Sequence, residues 1–169
     1  MNEQRMLKKM GAPSLEELAA AGMLPSPEVF AAGPCLCIEC VEEIPCNPCE
    51  TACPQGAIAV GSPITNLPVI DRNKCTACGL CIAACPGLAI TIKDGSGDQA
   101  LIRFPYEYLP MPVVGQTVTM CDRMGNPVCE GTIKRVDRPA RNDMTAVVTA
   151  LFDKSRIADV ISMVRLPRD

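Results

Sequence analysis

Cys75-Thr76-Ala77-Cys78-Gly79-Leu80-Cys81-Ile82-Ala83-Ala84-Cys85-Pro86 is a complete C-x2-C-x2-C-x3-C-P run. That spacing belongs to cubane iron–sulfur sites in which three thiolates wrap one cube and the fourth cysteine serves a second one. An upstream stretch, Cys46-Asn47-Pro48-Cys49-Glu50-Thr51-Ala52-Cys53-Pro54, has the same design. An offset of 32 residues maps Cys46 onto Cys78, Cys49 onto Cys81, Cys53 onto Cys85, Pro54 onto Pro86 and Ile58 onto Ile90. The chain therefore holds an internal repeat, and a repeat governs how everything around it is read.

The repeat predicts two [4Fe–4S] clusters that exchange their fourth ligands across an approximate two-fold. Cys53, Cys75, Cys78 and Cys81 are expected on one cluster, and Cys46, Cys49 and Cys85 supply three ligands to the other. The regular counterpart of Cys75 is Glu43, which cannot supply a thiolate. Cys40 is the nearest upstream thiol and gives C-x5-C-x2-C-x3-C-P, a three-residue expansion holding Glu42, Glu43, Ile44 and Pro45. Cys40 is the expected fourth ligand because such clusters overwhelmingly take cysteine. A three-iron cluster, a Glu43 carboxylate on the odd iron, or a ligand from Cys35 or Cys37 are the alternatives that spacing leaves open.

Composition narrows the function classes. Of 169 residues, 48% are hydrophobic and 21% charged, so the chain is expected to fold as one or two small domains. With two Tyr, three Phe and no Trp, it has few large side chains for a core, and metal clusters would supply the missing stability. A net charge of −3 and pI near 5.1 argue against a general nucleic-acid binder. No apolar run reaches the length of a membrane span, and no apolar leader follows Met1. A cytoplasmic location is therefore expected, where thiols stay reduced and bind metal rather than pair as disulfides.

Outside the repeat, residues 1–34 read as an arm with one short helix. Ser14-Leu15-Glu16-Glu17 is a capping box, and Gly22, Pro25 and Pro27 stop the helix. The arm either packs Leu15, Leu18 and Met23 on the rest of the chain or reaches toward a partner subunit. Residues 35–95 form the expected cluster domain, with strands around 35–38, 56–60, 69–71 and 88–93. Cys35 and Cys37 are predicted on one strand face, with Leu36 and Ile38 on the other. Asp94-Gly95-Ser96-Gly97-Asp98 is the expected boundary. Residues 96–169 are read as a small antiparallel β unit, closed by a helix over 154–165 on the spacing of Ile157, Val160, Ile161 and Val164. In it, Tyr106, Tyr108 and Met111 are expected in a Pro-rich loop as a docking surface.

If Cys40 is used, four cysteines remain. Cys35, Cys37, Cys121 and Cys129 could converge on a third metal centre, although their spacing matches neither the common cluster runs nor a zinc knuckle. The bland alternative makes them small buried hydrophobes.

The segment from Cys40 to Ile58, with the motif at Cys75 to Pro86 and the stretch Pro105-Tyr106-Glu107-Tyr108-Leu109-Pro110, resembles dicluster ferredoxin-type small subunits of multisubunit flavin-dependent dehydrogenases of the proline and hydroxyproline type. The resemblance implies an α+β, bacterial dicluster ferredoxin-like fold with an N-terminal helical arm and a small β C-terminal unit. It also implies Cys40, Cys46, Cys49 and Cys85 on one cluster and Cys53, Cys75, Cys78 and Cys81 on the other, with flavin-containing dehydrogenase subunits as partners. Cys35 and Cys37 depart from that family's pattern.

Electron transfer is the leading expectation, since a cluster changes by one electron and two clusters form a wire. The chain has no His for Rieske ligation or proton shuttling and no GxGxxG, so it is not expected to hold a flavin or nicotinamide nucleotide or a catalytic site of its own. A radical enzyme using S-adenosylmethionine is excluded because no third Cys follows Cys49-x3-Cys53 or Cys81-x3-Cys85 at the required spacing. A freely diffusing ferredoxin, or a structural or redox-sensing iron–sulfur protein, is the remaining alternative.

Overall fold

A computed structural model describes residues 6–168 of the chain. The repeat folds as two interlocked halves. The first half supplies strand β1 (Cys35–Ile38), helix α4 (Pro48–Thr51) and strand β2 (Ile58–Ala59). The second supplies β3 (Val69–Ile70), α5 (Leu80–Ala84) and β4 (Ile90–Asp94). β1 pairs with β4 and β2 with β3, both antiparallel, so each ladder joins one strand from each half.

The 32-residue offset is carried into the hydrogen bonds. Glu39 N donates to Ala89 O at 2.8 Å, and its counterpart, Asp71 N to Ala57 O, is also 2.8 Å. This lobe buries Leu36, Ile38, Ile58, Ile82, Ile90 and Ile92 among its cysteines, and no aromatic side chain is buried in that cluster. Cys35 and Cys37 turn to the opposite face, against Phe30, as the strand alternation predicted.

Preceding it are three short helices, α1 (Met6–Met10), α2 (Leu15–Ala20) and α3 (Pro27–Ala31), where the sequence suggested one. The capping box is present: Glu17 N donates to Ser14 Oγ at 3.1 Å, and Ser14 N to Glu17 Oε2 at 2.8 Å. Leu18 and Met23 are buried, so the arm packs on its own chain.

The tail is a β unit. Strands β5 (Ala100–Tyr106), β6 (Thr117–Cys121), β7 (Pro127–Asp137), β8 (Ala146–Phe152) and β9 (Ser162–Met163) follow β4 in one seven-stranded antiparallel sheet of order β1-β4-β5-β8-β7-β6-β9. β9 also returns to touch β5, so the last five strands wrap around a core of Phe104, Met120, Ile133, Val148 and Phe152. Residues 94–98 are a tight hairpin turn inside this sheet, fixed by Asp94 Oδ1, which accepts from Ser96 N and Ser96 Oγ.

The helix expected over 154–165 does not form. Asp153 caps a 3-10 turn, Lys154–Arg156, a second turn follows through Asp159, and only then does the chain enter β9, where Ile161 N donates to Cys121 O and Val164 N to Thr119 O. The β-branched residues that spaced like a helix stripe are poor helix formers; β6 takes Ile161 and Val164, while Ile157 and Val160 pack on the tail core. The docking loop is corrected too. Tyr106 is the last residue of β5 and only 2% exposed, and Met111 packs on the tail core. Of the three, Tyr108 alone is open to solvent; it meets Tyr106 edge to face at 5.6 Å and lies under the Arg165 guanidinium. Among the described residues no helix is long and apolar enough to cross a membrane.

Candidate iron–sulfur sites

Two cavities open between the halves of the cysteine lobe. One is lined by Cys40, Cys46, Cys49 and Cys85, with Ile38, Val60 and Ile90 among its apolar walls. The other is lined by Cys53, Cys75, Cys78 and Cys81, with Leu36, Ile58 and Ile92. The repeat operation carries one wall onto the other, Ile90 onto Ile58 and Val60 onto Ile92. Each cavity thus takes one cysteine from the opposite half, Cys85 in the first and Cys53 in the second.

Local structure explains how the spacing achieves this. Cys49 and Cys81 sit in the first turns of α4 and α5, and the chain leaves each helix at the residue before the exchanged cysteine. A backbone amide four residues on then donates to that cysteine's sulfur: Ala57 N to Cys53 Sγ at 3.2 Å and Ala89 N to Cys85 Sγ at 3.5 Å. Amide donors to sulfur are among the features that set a cluster's potential.

The symmetry fails in one loop. Cys40 stands two residues past the end of β1 and lines the first cavity, and the longer loop after it, residues 41–45, is largely exposed. Glu42 lines the rim of this cavity, whereas Glu43 lies along the outer groove toward α2, and Cys35 and Cys37 face away from it.

Three of the thiols, Cys40, Cys49 and Cys81, are held in places that resist ionisation. Burial raises the Cys40 pKa, and the neighbouring Cys85 and Cys46 thiols raise it further. Cys49 is likewise raised, by burial first and then by Cys85, Cys40 and Cys46. Cys81 is pushed up to about 12 by burial, with Cys78, Cys75 and Cys53 adding to it. In each case the interfering thiols are members of the same quartet. Four thiolates so placed need a compensating positive centre, and iron ions would supply it.

Among the described residues no three His, Cys, Asp or Glu side chains are gathered tightly enough to share one metal ion. A single zinc draws its thiolates to about 2.3 Å from one centre. Cysteines distributed around a cavity fit a multi-iron cage instead, each thiolate on its own iron. The residues present therefore fit a [4Fe–4S] group in both cavities.

Of the four remaining cysteines, Cys35 and Cys37 lie in one apolar cluster, Cys129 borders another, and Cys121 ends β6. Cys35 and Cys37 form a buried pair beside Phe30 and the buried Lys93 side chain, with Cys37 Sγ donating to Cys35 O at 3.9 Å. The interaction between the two thiols lowers the Cys35 pKa and raises that of Cys37. Lys93 lies across the ladder from Cys35 and donates to Ile157 O at 2.9 Å. Cys129 packs against the tail core opposite Met120, while Cys121, beyond a bulge, lies opposite Pro127.

Two residues that bear on the sites carried no sequence signal. Arg103 on β5 reaches from the tail to the second cavity: Nη1 donates to Ala77 O and Nη2 to Cys78 O, both at 3.0 Å. Arg123, in the β6–β7 turn, forms a buried ion pair with Glu39 at 2.7 Å and donates to Ala158 O. Both contacts span more than twenty residues of sequence, beyond the reach of any local pattern.

Residues 68–91 match the family described as the 4Fe-4S binding domain. The chain is 33% identical over 120 residues to the polyferredoxin-like subunit of an aliphatic sulfonate oxidoreductase of Pyrococcus furiosus, a match covering 70% of this chain and 53% of that protein. It is 48% identical over 50 residues to one subunit of an ion-translocating oxidoreductase complex of Methanosarcina acetivorans, covering 30% of this chain and 18% of that one. An uncharacterized ferredoxin of Methanocaldococcus jannaschii is 39% identical over 61 residues, 36% of each chain. The chain spans about half, or less, of the length of these relatives. No solved structure matches it. The chain carries a ferredoxin-type 4Fe-4S binding domain and is similar to ferredoxin-like subunits of oxidoreductases.

Proposed function

We propose that this ferredoxin-type protein is a two-cluster relay subunit of a larger oxidoreductase, passing single electrons between a flavin on a partner subunit and a further redox centre. Cys40, Cys46, Cys49 and Cys85 would hold one [4Fe–4S] cluster, and Cys53, Cys75, Cys78 and Cys81 the other. The observation that carries this reading is the pair of cavities, each lined by four cysteines drawn from both halves. When bound, each cluster supplies a reversible one-electron step.

The chain's own residues do the rest. The isoleucines between the cavities exclude water, the amides of Ala57 and Ala89 stabilise charge on the exchanged sulfurs, and Cys78, exposed at the surface, offers an edge for electron entry or exit. The tail is large for a free carrier, and it presents an exposed apolar run, Tyr108, Leu109, Val113 and Val114, which suits a permanent partner. Two of the relatives are named as subunits of oxidoreductase complexes, which supports a hetero-oligomer. The flavin-bearing partner of amino-acid dehydrogenase type is the finer part of the proposal, and it rests on the sequence resemblance. The protein is proposed to work in the cytoplasm.

The test is anaerobic purification of the tagged chain from its native host, with iron, sulfide and flavin assayed on what elutes. About eight irons per chain and flavin-bearing chains in fixed ratio are expected. Elution alone with eight irons would make it a diffusible carrier. Co-elution with subunits that carry no flavin would keep the relay and remove the amino-acid dehydrogenase setting.

A further inference from the structure

The two cavities are related by the repeat but not by their charges. Arg103 stands on β5 opposite Ile92 of β4, so the tail sheet presents it to the lobe. Its guanidinium spans the loop between Cys75 and Cys81 and holds the carbonyls of Ala77 and Cys78. Gly79 makes room for it. That residue has φ +83°, and a Cβ there would collide with the guanidinium. Arg103 has no carboxylate partner among the described residues, so its charge is not cancelled by contact. Neither cavity is lined by Lys or Arg, but the first has the Glu42 carboxylate in its wall, and the second has none and Arg103 against its ligand loop.

Building on the relay reading, we infer that Arg103 makes the cluster of Cys53, Cys75, Cys78 and Cys81 the higher-potential station, where electrons settle, and that Glu42 holds the other cluster lower. Reduction adds one negative charge to a cluster, and net charge nearby is among the determinants of its potential. A fixed cation against the ligand loop favours that added charge, and a carboxylate at the rim opposes it. Arg103 is half-buried and feels little screening, whereas Glu42 is exposed and acts more weakly. Arg103 touches the loop and not the cluster, so it is a positioning residue. The tail thereby gives the relay a direction: electrons entering at the first cluster run downhill to the second.

The ordering is tested on the full-length holoprotein by redox titration followed by electron paramagnetic resonance, comparing the native chain with R103Q, R103K and E42Q. Two one-electron steps are expected. R103Q should lower the upper step by about tenfold in its reduced-to-oxidised ratio, 59 mV for one electron, and leave the lower step in place. R103K, which keeps the charge, should recover most of that shift. E42Q should raise only the lower step, by less. Two reversible steps that ignore both R103Q and E42Q would overturn the ordering, as would R103K behaving like R103Q at full iron content. Should R103Q fail to retain iron, the sign and identity of the step moved by E42Q decide the matter. A native holoprotein without reversible steps would remove the relay reading itself, and the ordering with it.

Discussion

The cysteine lobe and the β tail share a sheet but are held together differently. The tail buries Phe104, Tyr106, Met120, Ile133 and Phe152 around one another, an ordinary apolar core. The lobe buries isoleucines and a leucine of β1, β2, α5 and β4, its helices are four and five residues long, and its remaining inner surface is thiol. Elements that short do not hold themselves in water. One half of the molecule is therefore stabilised by burial and the other by whatever its cysteines bind.

The strongest way to break this contrast is to remove iron. Anaerobic chelation of the holoprotein should strip amide-exchange protection from residues 40–92 while β5 to β8 keep theirs, because only the lobe depends on the metal. Loss of protection in both halves together would show a single cooperative unit. The converse experiment attacks the tail core. Phe104→Ala, at a site with 0% exposure, should cost about 3–5 kcal/mol in denaturant unfolding. If the lobe stands on its clusters, iron content should survive.

The seam between the halves comes next. Arg123→Met leaves Glu39 buried without its partner and should cost about 3–5 kcal/mol, and adding Glu39→Leu should return much of that. A cost that persists in the double variant would assign the role to the Arg123 bond with Ala158 O instead. Smallest of all, Ser14→Ala removes the cap of α2 and should cost about 1 kcal/mol in the same assay without changing iron content.

What the sequence disclosed follows the same division. Cluster spacing is written in consecutive residues, so the repeat, the quartets around the two cavities and even Cys40 beside the first cavity were legible from the order of residues alone. The capping box at Ser14 and the alternation of Cys35 with Leu36 were legible for the same reason. The tail's strands announced themselves through Val, Ile and Thr, but its closure did not. Residues 157–164 carry an apolar spacing that suits a helix, and the edge of β6, about forty residues upstream, draws their end, Ser162 and Met163, into a strand instead. Tyr106 looked like a surface anchor because prolines surround it, yet Pro105 lies inside β5 and the tyrosine ends that strand opposite Ala146 of β8. Arg103 and the Glu39–Arg123 pair are products of sheet order alone.

The crossing of the two halves has a further consequence, for synthesis. Cys40 leaves the ribosome well before Cys85, which lines the same cavity, and Cys53 before Cys75, Cys78 and Cys81. At about 5–20 residues per second, the first quartet waits about 2–9 s for its last member. Neither cavity can be closed around a partial chain, and β1 finds no partner until β4 has followed it out. The nascent lobe must therefore stay open, with its thiols bare, until both halves are present, so metal loading belongs after translation of this segment and the two sites should fill as a linked pair.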